Sequence, residues 1–367
     1  MKYERGRISG QELLFSVFCF MQGTMLRSGY IISVTRNDSW AMAFTGLLLT
    51  LPIVAIYAAL LRRFPGKSLI EIDDIIFGPV LGRFVSVLYL FFFLSLCALN
   101  TRDLGNFVVG YMMPETPVVA VIILFLLACV YAIHKGIESL MRLSALFCIL
   151  TVGAVVVNSI MILKDVQLDF LKPFFRLPLM KYVQGTVSVT AVPMGEILAF
   201  TMIAPMLGKR QKAGKPLALG LTFSAVFMAV VMLRDIMTLG PLVSIVSLPS
   251  FESVRYVSLA GILTRMESIY AVILTILFLF KVCILMYAFI LGLSELLNFD
   301  SYPRLILLSA ALVALYSLFV FESVMENMDW GATAAPFFSL TFEFLLPAVS
   351  LAVALLRRLN RNREAEA

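Results

Sequence analysis

Apolar stretches of about 20 residues recur along almost the whole chain, set apart by short polar segments. A helix rises about 1.5 Å per residue, so about 20 residues cross a hydrocarbon core of about 30 Å. The pattern predicts ten membrane-spanning helices, at about 12–34, 41–61, 84–105, 117–133, 140–163, 182–207, 216–239, 266–296, 303–324 and 335–356. Shorter amphipathic pieces lie between them. Ser68 stands three residues before Glu71, a capping-box spacing, and Leu69, Ile72 and Ile76 share one helical face. That predicts a short helix on the membrane surface. Ser250 precedes Phe251 and Val254, which predicts a capped helix between the seventh and eighth spans, either a lid over an outer vestibule or an interfacial anchor.

Two spans depart from the apolar rule. The sixth contains Pro193, Gly195 and Glu196 in its middle. Pro193 has no N–H, so the carbonyl of Val189 loses its helical partner. Gly195 lets the backbone leave helical dihedrals cheaply. A charged, unpaired Glu196 at that depth costs roughly 2.5–3.5 kcal/mol. Loose backbone groups and a charge survive there only against protein or a water-filled cavity. Two readings follow: a broken helix lining a polar site, or a proline-kinked helix whose glutamate is neutral or paired. The first span carries Gln22, Gly23 and Thr24 and then Arg27, a second candidate for a break. Alternatively, Gly23 permits close packing and Arg27 reaches outward to water.

Composition narrows the class. Hydrophobic residues make up 61% of the chain and charged ones 14%, and the mean hydropathy is +0.97. These values belong to an all-α integral membrane protein whose surroundings are a lipid bilayer. The first apolar run exceeds a signal-peptide core and has no clear cleavage site, so it is expected to be retained. The net charge of +6 comes from basic residues gathered at helix ends, so it points to no nucleic acid. The five cysteines all fall in apolar segments and read as packing residues. The single histidine, His134, rules out a His-based metal site, and no nucleophile motif suggests an enzyme. No cofactor is expected.

Ten spans place both termini on one side. Well over half of the 29 Lys and Arg fall on that side, which makes it cytoplasmic. The sixth and eighth spans then run outside to inside, and Glu196 and Lys281 reach similar depths. Opposite charges at matched depth offset each other's desolvation, so they are expected to pair. Arg27 lies in the outer third, within reach of the vestibule, Asp103 or Asp235.

The segment Pro193-Met194-Gly195-Glu196 resembles the Pro-Phe-Gly-Glu type motif of the B subunits of endospore germinant receptors, the spore germination permeases. So do Pro249-Ser250-Phe251-Glu252-Ser253-Val254-Arg255, Ser258-Leu259-Ala260-Gly261, Arg265-Met266-Glu267, Lys281, and Tyr287-Ala288 with Gly292-Leu293, in order and spacing. Arg102 sits where members tend to have an arginine. The resemblance implies the amino acid/polyamine/organocation transporter fold. That is one membrane domain, 1–367, of two inverted five-helix repeats at about 8–164 and 181–358, with the first and sixth helices broken. It implies that Gln22, Gly23, Thr24, Arg27, Pro193, Gly195 and Glu196 line a ligand site, with Glu196, Lys281 and Arg102 as buried coupling charges. It implies a small germinant, commonly an amino acid, and A and C partner subunits in the spore inner membrane. One departure stands out: Met25-Leu26-Arg27-Ser28-Gly29 replaces a small, apolar, proline-containing run, so Arg27 suits a more acidic ligand. A proton-coupled amino acid permease needs the same cavity and remains an alternative.

Overall fold

The computed structural model describes residues 7–24, 28–164, 166–208, 212–255, 266–299 and 302–359. Arg27 and the run 256–265 lie outside them. Among the described residues, eight helices are long and apolar enough to cross a membrane, and Val118–His134 is a shorter apolar helix.

The first span is split. Helix α1 (Gly10–Gln22) opens with a full capping box between Ser9 and Glu12 and runs into a tight turn at Gly23 and Thr24; α2 (Ser28–Thr35) resumes beyond it. Helix α3 (Ser39–Arg63) is the second span. The predicted surface helix and third span form one element, α4 (Leu69–Phe107), folded at Gly78, where φ is 81° and ψ −179°. Glycine is at ease there, and Pro79 follows. Ser68 and Glu71 cap the surface part reciprocally, each bond 3.2 Å long. Helices α5 (Val118–His134) and α6 (Ile137–Ile162) complete the first half.

The sixth span begins as α7 (Leu179–Val189), passes through a wide π-helical turn at Thr190–Met194 and a tight 3-10 stretch at Gly195–Ala199, and ends in α8 (Phe200–Ile203). The sequence predicts a break here; the structure shows a change of pitch. Gly195 keeps right-handed dihedrals (φ −73°, ψ −28°). A wide turn moves the hydrogen bonds along by one residue, which absorbs the missing N–H of Pro193 without unwinding the chain. A freed helix N-terminus at Gly195 is therefore absent.

Helix α9 (Gly214–Leu239) is followed by α10 (Pro249–Arg255). Ser250 is expected to cap α10. Instead it sits inside the helix, and its hydroxyl donates to Asp235. Helix α11 (Met266–Leu296) is apolar on all sides and runs through the centre, with Phe278, Phe280, Cys283 and Tyr287 fully buried. Then come α12 (Ile306–Phe319), α13 (Val324–Thr333) and α14 (Ala335–Leu340). A second wide turn, Thr341–Leu345, leads into α15 (Leu346–Leu356). One end of the bundle carries the N-terminal segment, where Ile8 pairs with Leu207. The other carries α2, α10 and α13.

Candidate functional site

Three helical irregularities converge on one cluster. Lys281 on α11 and Glu196 on the tight turn after Pro193 form an ion pair with exposures of 0% and 1%. The Lys281 ammonium also donates to the Thr24 hydroxyl, at the turn that ends α1. It lies 4.9 Å from the centroid of the Phe20 ring, a cation–π contact. A buried pair persists only when its remaining hydrogen-bonding capacity is met, and Thr24 and Phe20 supply part of that for the lysine. Gly23 fits because a Cβ there would stand 3.0 Å from the Leu277 carbonyl and 3.2 Å from Lys281 Cβ. Its small size lets α1 lie close against α11.

The sequence reading missed Glu343, the third charged group of this cluster. It sits in the wide turn Thr341–Leu345, fully buried. Its carboxylate occupies the space that a Cβ on Gly195 would need, so Gly195 is required for this approach. Neither carboxyl oxygen of Glu343 has a hydrogen-bond partner among the described residues. Its backbone carbonyl accepts from the Tyr57 hydroxyl at 2.6 Å. The signal was available: Glu343 is a lone acid inside an apolar run, the same argument that singles out Glu196.

The other predicted residues fall in different places. Pro193 is buried inside the wide turn and touches the cluster only through the pitch it imposes. Gln22 borders a void of about 20 Å³ beside Tyr270 and Phe227, room for about one water. Arg102 points away from the cluster. Its guanidinium donates to the carbonyls of Ser317 and Leu318 (both 3.3 Å) and Phe321 (3.2 Å), capping the end of α12. Arg234 and Asp235, buried near the end of α9, pair with each other, with Asn158 Oδ1 accepting from Arg234 at 3.1 Å.

A cavity of about 490 Å³ opens at the end opposite the N-terminal segment. Gly29 and Ser33 of α2, Asp103 and Asn106 of α4, Ser247, and Asn327 and Asp329 of α13 contribute to its wall. Asn327 Nδ2 donates to Asp103 at 2.7 Å. Asn106 Nδ2 has no partner among the described residues. Gln22, Gly23, Thr24, Pro193, Gly195 and Glu196 do not line this cavity. Among the described residues, no group of three His, Cys, Asp or Glu gathers as metal ligands would.

A family model described as spore germination protein matches residues 7–325. The chain belongs to that family. The chain is similar to spore germination protein KB of Bacillus subtilis (strain 168), at 24% identity over 98% of each chain. It is also similar to spore germination protein B2 of the same organism, at 21% identity over 62% of this chain and 63% of that one. Its backbone is similar to that of a nucleobase-cation-symport-1 family transporter solved in a closed conformation with bromovinylhydantoin bound. The TM-score is 0.67 at 13% identity, over 97% of this chain and 80% of that one. A Na+-coupled sialic acid symporter, solved substrate-bound and outward-open, gives a TM-score of 0.66 at 13% identity, over 93% and 80%. At such identity the likeness is one of fold. The chain is a multi-pass membrane protein with a transporter-like fold.

Proposed function

We propose that this chain is the membrane subunit of a spore germinant receptor. A small nutrient, an amino acid by preference, binds through the outer cavity, and the resulting shift passes to A and C partner subunits in the spore inner membrane. The architecture that goes with this reading is ten spans in two inverted five-helix repeats, about 8–164 and 181–358, with both termini cytoplasmic.

The observation that carries the reading is the cavity itself. Its volume of about 490 Å³ falls in the ~300–1,000 Å³ range of small-molecule sites. Asp329 and Asp103 suit an ammonium group, and the unpartnered Asn106 amide suits a carboxylate. The wall also includes α2, which continues the interrupted first span, so a ligand held there bears on the joint above Lys281. Gln22, Gly23, Thr24, Arg27, Pro193, Gly195 and Glu196 become ligand contacts when that joint opens, and Lys281 and Arg102 take part in coupling.

The test is a thermal-shift screen of the purified protein against single amino acids. A hit should raise the melting temperature in the wild type and lose that effect in Asp329→Asn and Asn106→Ala. A hit that keeps its effect in both variants would place the ligand elsewhere. Co-purification with A- and C-type subunits tests the receptor assembly. The likeness to cation-coupled symporters supports a second reading, a proton-coupled amino acid permease. Accumulation of the ligand in vesicles by this chain alone would favour that reading.

A further inference from the structure

Several buried polar atoms lack partners among the described residues: both carboxyl oxygens of Glu343, the Tyr89 and Ser86 hydroxyls and Asp73 Oδ2. Ser86 stands three residues before Tyr89 on α4, about one turn away. All four side chains are fully buried. Their neighbours connect them. Tyr57 donates to the Glu343 carbonyl at 2.6 Å and lies within electrostatic reach of both the Glu343 carboxyl and Tyr89. Tyr89 is in turn within reach of Asp73. Asp73 Oδ1 accepts from the Ser350 hydroxyl at 2.6 Å. Ser350 follows Glu343 by seven residues on the same span, about two turns or roughly 10 Å along one face. Asp73 belongs to the surface part of α4, and its neighbour Asp74 is exposed. The line therefore runs from the centre of the bundle to solvent at the N-terminal end.

Charge at the centre gives the line a purpose. Two carboxyl groups, Glu196 and Glu343, share one described cation, Lys281, and all three side chains are buried. Lys281 is committed to Glu196 and Thr24. A second carboxylate without a hydrogen bond at that depth would carry the desolvation penalty of an unpaired ion, several kcal/mol even after relaxation. Two close carboxylates avoid double ionisation by holding a proton between them. Unpartnered hydroxyl and carboxyl oxygens in a row are the groups that ordered waters bridge.

We infer that Glu343 is a proton-binding site and that Tyr89, Ser86 and Asp73, bridged by water, form the route from it to the N-terminal end of the bundle. Binding forms one O–H bond at a Glu343 carboxyl oxygen. The proton comes from hydronium at the Asp74 end, where one O–H bond breaks and water remains. The hydroxyls pass the proton on without net ionisation. The titratable groups facing Glu343 are Tyr57 on α3, Glu196 on the sixth span and Lys281 on α11. Those facing Asp73 are Asp74 and Tyr89, with Ser350 as donor. Neither a germinant nor a partner subunit enters the argument, so it stands or falls apart from the receptor reading.

Infrared spectra of the full-length protein reconstituted in lipid test it directly. The wild type should show the C=O band of a protonated carboxylic acid at neutral pH, shifted in D2O. Glu343→Gln should lose that band, and Glu196→Gln, which frees Lys281 to pair with Glu343, should weaken it. Asp73→Asn and Tyr89→Phe should keep it but slow its exchange into D2O several-fold. The inference is overturned by a wild type without the band, by a band that survives Glu343→Gln, or by wild-type exchange in both route variants. Should Glu343→Gln fail to fold, Glu343→Asp serves: a displaced band supports the assignment, and an undisplaced one overturns it.

Discussion

Removing Lys281 would leave two buried carboxyl groups with no described cation between them. Breaking a buried pair from one side typically costs about 3–5 kcal/mol, because the remaining charge is stranded. Lys281→Met should therefore destabilise the detergent-solubilised protein by about that amount, and adding Glu196→Gln should recover part of the loss. Denaturant melts of the two single variants and the double variant measure the coupling; strict additivity would mean the pair contributes nothing as a pair. Gly195→Ala drives a methyl group into the Glu343 carboxyl, an overpacking cost of about 1–3 kcal/mol. Shortening the intruded side chain, Glu343→Ala, should make the alanine tolerable. At this scale the sequence was informative about Glu196 and Lys281, since mid-span charges of opposite sign at one depth have few other partners. It offered the same evidence for Glu343, a lone acid in the last span. What no single span could reveal is that Gly195 is the surface on which Glu343 rests, because that contact joins the sixth and tenth spans.

Elements were legible where the bilayer dictates them. Runs of about 20 apolar residues have to be helices in lipid, and the Ser68–Glu71 capping box marked the surface helix before Gly78 and Pro79 turn it into the third span. The sixth span read as irregular, either broken or kinked with a paired glutamate, and the structure has a change of pitch with Glu196 paired. Proline announces a lost N–H, but whether the backbone answers by unwinding or by widening one turn depends on the neighbours that hold it. Ser250 shows the same limit: a residue with good capping chemistry is claimed by Asp235 on the neighbouring α9. Arg102 had a place in the pattern but no visible task until α4 and α12 were seen to meet. Its bonds to three carbonyls of the turn that ends α12 predict a local defect. Arg102→Ala should cost about 1.5–3 kcal/mol and speed amide exchange around 317–323 while sparing α7.

At the level of the whole molecule, the excess of Lys and Arg at one end predicts an orientation that labelling can check. The five native cysteines are buried, so the wild type should be silent to a membrane-impermeant maleimide. Lys172→Cys, exposed at the end away from the N-terminal segment, should react from outside intact cells. Lys67→Cys, at the other end, should react only after permeabilisation; the reverse result would invert the topology. The two widened turns, Thr190–Met194 and Thr341–Leu345, have a consequence for how the chain tolerates change in length. Each accommodates one residue beyond the ordinary helical count. Excising a single residue from either would restore normal winding and leave everything downstream close to its present orientation, because the turn already spreads that residue over the same rotation. The same excision from an ordinary stretch such as α7 or α15 would swing the residues beyond it by about 100° about the helix axis. The chain thus has slack of one residue at the two turns that adjoin Glu196 and carry Glu343, and none on either side of them.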